Sequence, residues 1–184
     1  MGCDHLPVYT MSRMQYFIKN NAPWDQLVKI GNIKLMDLKH DSCIQLNKRI
    51  NVKPILVPHR DEYSETVGYE ISANNKKLLF IPDIDKWEEW SLDINELVQK
   101  VDYAFLDATF YKNGELGRDM SEIPHPFVEE TMQLFSELSN LDKQKVHFIH
   151  FNHTNPLLID KSQAQQEVKE KGFNFAREGQ VITL

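Results

Sequence analysis

The chain has 184 residues, 41% of them hydrophobic and 26% charged, which suits one ordinary globular domain with a core of its own. Its formal charge of -6 comes with scattered basic residues, which argues against a nucleic-acid or membrane surface and favours a small-molecule substrate. Cys3 and Cys43 are too few for a disulfide framework and read as small buried residues, no apolar run has the length of a membrane span, and no signal-peptide core is present, which together predict a cytoplasmic protein.

Leu6 to Tyr9 reads as a short strand, and Ser12 to about Asn20 as a helix with Met14, Phe17 and Ile18 along one side. After Pro23-Trp24 the pattern turns extended, with strands expected at Ile33 to Leu38, Cys43 to Leu46 and Ile50 to Val57. Val67 to Ser72 and Leu78 to Ile81 form a further pair around Asn74-Asn75-Lys76, whose side chains suit a hairpin turn. From Ser91, a candidate cap, a helix is expected to about Lys100, followed by a buried strand at Tyr103 to Leu106. A second strand-helix-strand unit follows, with a helix from about Pro126 to Leu138 and a strand at Val146 to Ile149. The tail supplies a helix from about Ser162 to Lys171 and extended pieces at Phe173 to Ala176 and Val181 to Leu184. The class is α/β with a mixed sheet and flanking helices, and nothing marks a linker, so residues 1–184 read as a single domain.

Four strands run into a residue of catalytic type: Val57-Pro58-His59, Ile81-Pro82-Asp83, Leu106-Asp107 and Ile149-His150. The hairpin returns its second strand to the direction of the strand before it, and each crossover makes the next strand parallel to the last. All four residues then fall on one sheet edge, at carboxyl ends, where α/β folds keep their sites. Imidazole and carboxylate together suit zinc or a comparable divalent ion. Ordinary hydrogen-bonding strand ends satisfy the same spacing, which alone leaves both readings open.

Longer strings carry a resemblance. Val57-Pro58-His59-Arg60-Asp61-Glu62 with Thr66-Val67-Gly68-Tyr69-Glu70-Ile71 resembles the third-motif region of metallo-β-lactamase-fold hydrolases, and Ile81-Pro82-Asp83 their fourth motif. Phe148-Ile149-His150-Phe151-Asn152-His153-Thr154-Asn155-Pro156 is similar to the fifth motif of the pyrroloquinoline-quinone biosynthesis B branch. Asp107-Ala108-Thr109-Phe110, Gly117-Arg118-Asp119-Met120 and Ile123-Pro124-His125-Pro126 add similarity to that branch and to the tRNA 3'-processing endonucleases. The resemblance implies His59, Asp83 and His150 as ligands of a divalent metal, zinc first with manganese or iron as alternatives. It also implies Asp83 as the group that orients a nucleophile.

His125, bracketed by Pro124 and Pro126, is a candidate general acid or anion-binding group, or else a helix cap. Asp107 is a candidate partner for His125 or His150, or else simply ends its strand. His153 either reaches the site through a turn or is solvated. His147 alternates with Phe148 and is expected to face away from the core. Trp87, Trp90 and Phe110 either wall a pocket or pack as core and lid.

The chain departs from the family in one respect. No His-x-His-x-Asp-His precedes Leu6, and Asp4-His5, its only vestige, reads as a loop. The expectation is a partial αββα sandwich lacking its N-terminal portion, whether as an incomplete product or as a reduced form, with weak or absent hydrolase activity. The competing expectation is a non-catalytic small-molecule-binding or accessory protein of cofactor biosynthesis. A sheet surface left exposed predicts a homodimer.

Overall fold

The computed structural model describes residues 3–184. A small N-terminal piece pairs strand β1 (Leu6–Thr10) in parallel with β2 (Ile33–Asp37), around helices α1 (Ser12–Asn20) and α2 (Trp24–Lys29). Helix α2 replaces the extended segment expected after Trp24. Trp24, Leu27 and Val28 have i, i+3, i+4 spacing, and an Asp25–Lys29 ion pair at 2.5 Å spans one turn.

The remaining strands form one seven-stranded sheet in sequence order: β3 (Ile44–Gln45), β4 (Ile50–Leu56), β5 (Val67–Ala73), β6 (Lys76–Ile81), β7 (Tyr103–Asp107), β8 (Val146–Ile149) and β9 (Asn174–Phe175). Pairing is antiparallel from β3 to β6 and parallel from β6 to β9, the mixed sheet expected. The β5–β6 hairpin turns through Asn74 and Asn75, whose φ values of 49° and 66° are left-handed, as a two-residue turn of this hand requires.

Crossover helices α3 (Ile94–Gln99), α4 (Val128–Leu134) and α6 (Gln163–Glu170), with the short α5 (Asn140–Lys143), link the parallel strands. Consecutive crossovers of one hand lay their helices on one face of a sheet. There Val98, Val128, Phe135 and Val168, all fully buried, pack with Leu106, Val146 and Phe148 in a single core. Each such side chain stabilises the fold by roughly 1.5–3 kcal/mol of apolar burial.

Boundaries moved where local hydrogen bonds overrode pattern. Asp93, not Ser91, caps α3 by accepting from the Asn95 N–H at 2.8 Å. Helix α4 is shorter than expected at both ends: the Glu130 carboxylate reaches back to the Phe127 N–H at 2.9 Å, and a turn held by the Leu138 N–H on the Phe135 carbonyl follows it. Ser139 then caps α5, which the sequence reading missed. Among the described residues Val181 to Leu184 pairs with no strand, and β9 is the edge of the sheet. Cys3 and Cys43 are exposed rather than buried; each lies just ahead of a strand, outside the core. Among the described residues no helix is long and apolar enough to cross a membrane.

Candidate metal centre

Strands β4, β6, β7 and β8 run in the same direction, and the four strand-end residues gather at their carboxyl edge as the chain order requires. His59 lies just beyond β4 and Asp83 just beyond β6, Asp107 closes β7, and His150 follows β8 directly. His125 arrives from the long loop between β7 and α4. Its ring centroid is 5.5 Å from that of His59 and 6.2 Å from that of His150.

Asp107 is the buried hub, with 0% exposure. Its Oδ1 accepts from the Thr109 N–H at 2.8 Å and the Thr109 hydroxyl at 2.7 Å; its Oδ2 accepts from His125 Nδ1 at 2.8 Å and the Ile84 N–H at 3.2 Å. With its proton committed to Asp107, the Thr109 oxygen accepts from His150 Nδ1 at 2.9 Å. Both imidazoles therefore carry a proton on Nδ1 and leave Nε2 free of any protein hydrogen bond among the described residues. Burial alone would raise the Asp107 carboxyl, but His125, His150 and Thr109 outweigh it and hold the group below the usual carboxylate range. Burial works to lower His125, yet Asp107 and then Asp83 leave it above the ordinary imidazole value. His150 is raised chiefly by Asp107, against a smaller effect of burial.

Asp83 faces this hub from the other side. Its Oδ2 is 3.2 Å from His59 Nε2 and its Oδ1 is 3.4 Å from His125 Nδ1. The His125 proton points at Asp107 instead, so Asp83 Oδ1 is a buried acceptor with no hydrogen-bond donor. A buried, unsatisfied carboxylate oxygen is costly unless a cation serves it. Ligand atoms bound at 2.0–2.1 Å around a tetrahedral zinc lie about 3.3 Å apart, so the contact between Asp83 Oδ2 and His59 Nε2 matches the edge of such a site. Asp83, Asp107 and His125 also bring one candidate ligand atom each within 4.8 Å of one another. The donor set and its spacing fit a divalent cation.

The residues singled out from sequence divide as follows. His59, Asp83, Asp107, His125 and His150 share one cluster, with His59 on the Asp83 side and His150 on the Asp107 side. His153 is exposed and makes no hydrogen bond among the described residues. His147 faces away from the core as expected, stacked on Phe105 at 5.0 Å. Trp87 and Trp90 are packing residues: their indole N–H groups donate to the Thr131 hydroxyl and the Leu56 carbonyl, both at 2.9 Å. Phe110 lies in a small apolar cluster with Met120 and Phe127, edge-on to His125 at 6.4 Å.

Three residues of the site carried no assignment from sequence. Thr109 relays His150 to Asp107. Asp85 Oδ1 lies 2.9 Å from His59 Nδ1. Asn155, 1% exposed, donates to the Ala108 carbonyl at 2.7 Å and so ties the His150 loop to the Asp107 loop. The available signal was alternation: in Asp83-Ile84-Asp85 a fully buried Ile84 separates two carboxylates.

Comparison with known proteins follows the same lines. A family model described as "Beta-lactamase superfamily domain" matches residues 2–151. "Coenzyme PQQ synthesis protein B" of Klebsiella pneumoniae is 27% identical over 144 residues, which cover 71% of this chain and 45% of that protein. The protein of the same name from Nitrosococcus oceani is 28% identical over 141 residues, 71% of this chain and 45% of that one. The chain thus spans about half the length of the curated relatives it matches. Among solved structures, Zn(2+)-bound PqqB from Methylobacterium extorquens superposes with a TM-score of 0.78 at 19% identity, over 98% of this chain and 63% of that one. An isothiocyanate hydrolase from Delia radicum gut bacteria gives 0.58 at 12% identity, over 98% of this chain and 67% of its own.

Proposed function

The chain belongs to the β-lactamase superfamily, and from that premise we propose that it is a metal-dependent hydrolase of the PqqB-like branch, cleaving an ester, lactone or phosphodiester bond in a small molecule. The observation that carries the proposal is the pairing of Asp83 Oδ2 with His59 Nε2 at 3.2 Å, the spacing of two ligands on one metal, beside a second Asp83 oxygen that is buried without a donor among the described residues. Zinc is the favoured ion, supported by the donor chemistry and by the zinc in the PqqB structure.

His59 through Nε2, Asp83, and His150 from the Asp107 side are the residues that would hold the cation. When bound, such an ion lowers the pKa of a water and polarises a carbonyl or phosphoryl oxygen. The chain's own groups supply the rest. Asp83 orients the nucleophile with whichever oxygen faces it. Asp107 holds His125 in one orientation through Nδ1, so that Nε2 faces outward as the proton donor to a leaving-group oxygen. The elevated pKa of His125 keeps that proton available closer to neutral pH.

A specific observation supports a second reading. The curated relatives it matches are named for the synthesis of a coenzyme, and the chain spans about half their length. A protein that binds metal and a small anion without turnover is the alternative, an accessory of cofactor biosynthesis.

Elemental analysis of the purified chain beside His59→Ala and Asp83→Ala tests the proposal. Stoichiometric metal that is lost in both variants supports the centre, and hydrolysis of an ester, lactone or phosphodiester panel then separates enzyme from binder. A well-folded chain that takes up no zinc, manganese or iron would overturn it.

A further inference from the structure

We infer that Asp85 is a positioning residue that sets which ring nitrogen of His59 is free to bind metal. The inference rests on the reading of His59 as a ligand. A neutral imidazole has one N–H, and His59 faces two carboxylates: Asp85 Oδ1 at 2.9 Å from Nδ1 and Asp83 Oδ2 at 3.2 Å from Nε2. A proton on Nδ1 satisfies Asp85 and leaves the Nε2 lone pair directed to the Asp83 side, where both would share one cation. A proton on Nε2 would satisfy Asp83, block the ligand nitrogen and leave a lone pair against the Asp85 carboxylate.

The surroundings make Asp85 suited to this choice. Both side chains are mostly buried, His59 at 16% exposure and Asp85 at 18%, so water competes weakly for the Nδ1–H. The Asp85 backbone N–H donates to the Pro58 carbonyl at 2.8 Å, which fixes the carboxylate against the loop that carries His59. Ile84, with 0% exposure, anchors the tripeptide in the core, and its N–H donates to Asp107 Oδ2 at 3.2 Å. One short segment therefore supplies a metal-side carboxylate, a carboxylate behind the imidazole, and a link to the buried hub. Asp85 does for His59 what Thr109 and Asp107 do for His150, and all three imidazoles end with Nδ1 engaged. Partners of this kind orient the ring and raise its basicity as a ligand.

The test uses metal-free chain and three variants: Asp85→Ala, Asp85→Asn, which keeps an acceptor without the charge, and His59→Ala for assignment. Long-range proton-nitrogen NMR at about pH 8.5, where imidazoles are mostly neutral, is expected to give His59 as the Nδ1–H tautomer in wild type and in Asp85→Asn. Asp85→Ala is expected to shift it toward Nε2–H. Zinc affinity by chelator competition should fall about 10–100-fold in Asp85→Ala and less in Asp85→Asn. An unchanged tautomer in Asp85→Ala, or unchanged zinc affinity in that variant while His59→Ala loses it, would overturn the positioning role and leave the metal centre standing. A wild-type chain that binds no zinc overturns the centre, and the tautomer still decides whether Asp85 orients His59.

Discussion

The two faces of the seven-stranded sheet are built differently from the same alternating strands. Leu79, Ile81, Ala104, Leu106, Val146 and Phe148 point to the helices and are almost wholly buried. Their neighbours Leu78, Phe80, Tyr103, Phe105 and His147 point the other way and are only partly buried, with Phe105 stacked on His147. Asp107 follows the parity of Tyr103 and Phe105, so the hub of the candidate centre belongs to the second face, at its upper margin. Burial is concentrated where the helices pack; the candidate centre sits at the rim of the opposite face.

This contrast is broken or sharpened most directly by a pair of truncations. Phe148→Ala removes a fully buried ring that packs near Phe173 at 5.9 Å and should cost about 3–5 kcal/mol. Phe105→Ala, on the partly covered face, should cost only about 1 kcal/mol. Urea denaturation of both variants measures the difference, and equal losses would mean that the second face is as well packed as the first.

The strand order, hairpin and crossovers were legible because each rests on local pattern: period-two alternation, an Asn-Asn turn, and apolar runs between capped helices. Helix α2 was not, since six residues are too few for periodicity to declare itself after a proline. At the site, His59, Asp83, Asp107 and His150 were legible from one regularity, a polar residue at each strand's carboxyl end. Thr109 and Asp85 were not legible in this way. A threonine two residues past an aspartate reads as turn chemistry, and a second aspartate after Ile84 reads as solvated until the loop bearing His59 is seen to fold back on it.

We propose that the second face also serves assembly of a homodimer. Two of its rows, Ile44, Val52, Ile71, Leu78, Tyr103 and Pro54, Tyr69, Phe80, Phe105, His147, carry no Asp, Glu, Lys or Arg in a chain of formal charge -6. Two copies that meet through it avoid the repulsion their other surfaces share, and stacked sheets bury such rows against each other. Light scattering across a dilution series should show a dimer that dissociates on dilution, and Leu78→Lys should shift it toward monomer. A wild-type chain that stays monomeric at the highest concentration would remove this use of the face.

The smallest effect expected is on pH dependence, and it tests whether the rim is coupled to folding. Asp107, lowered in the fold, contributes stability above about pH 4 that is lost as pH falls through its depressed value. His125 and His150, both raised, contribute stability that is full below about pH 6.5 and lost as pH rises through their elevated values. The three therefore act together between those limits, and metal-free chain should melt highest there. His150 adds less than His125, because its side chain is 44% exposed and solvent screens it. His147, lowered by burial, acts in the opposite sense below about pH 6.5, but it lies outside the cluster and contributes equally to wild type and variant. Asp107→Asn removes the anion that raises both imidazoles. Between pH 5.5 and pH 8, in chelator, wild type should therefore lose about 2–4 °C more of its melting temperature than Asp107→Asn does. Parallel losses would mean that the histidines titrate independently of Asp107 and that the rim adds nothing to the stability held on the helix-covered face.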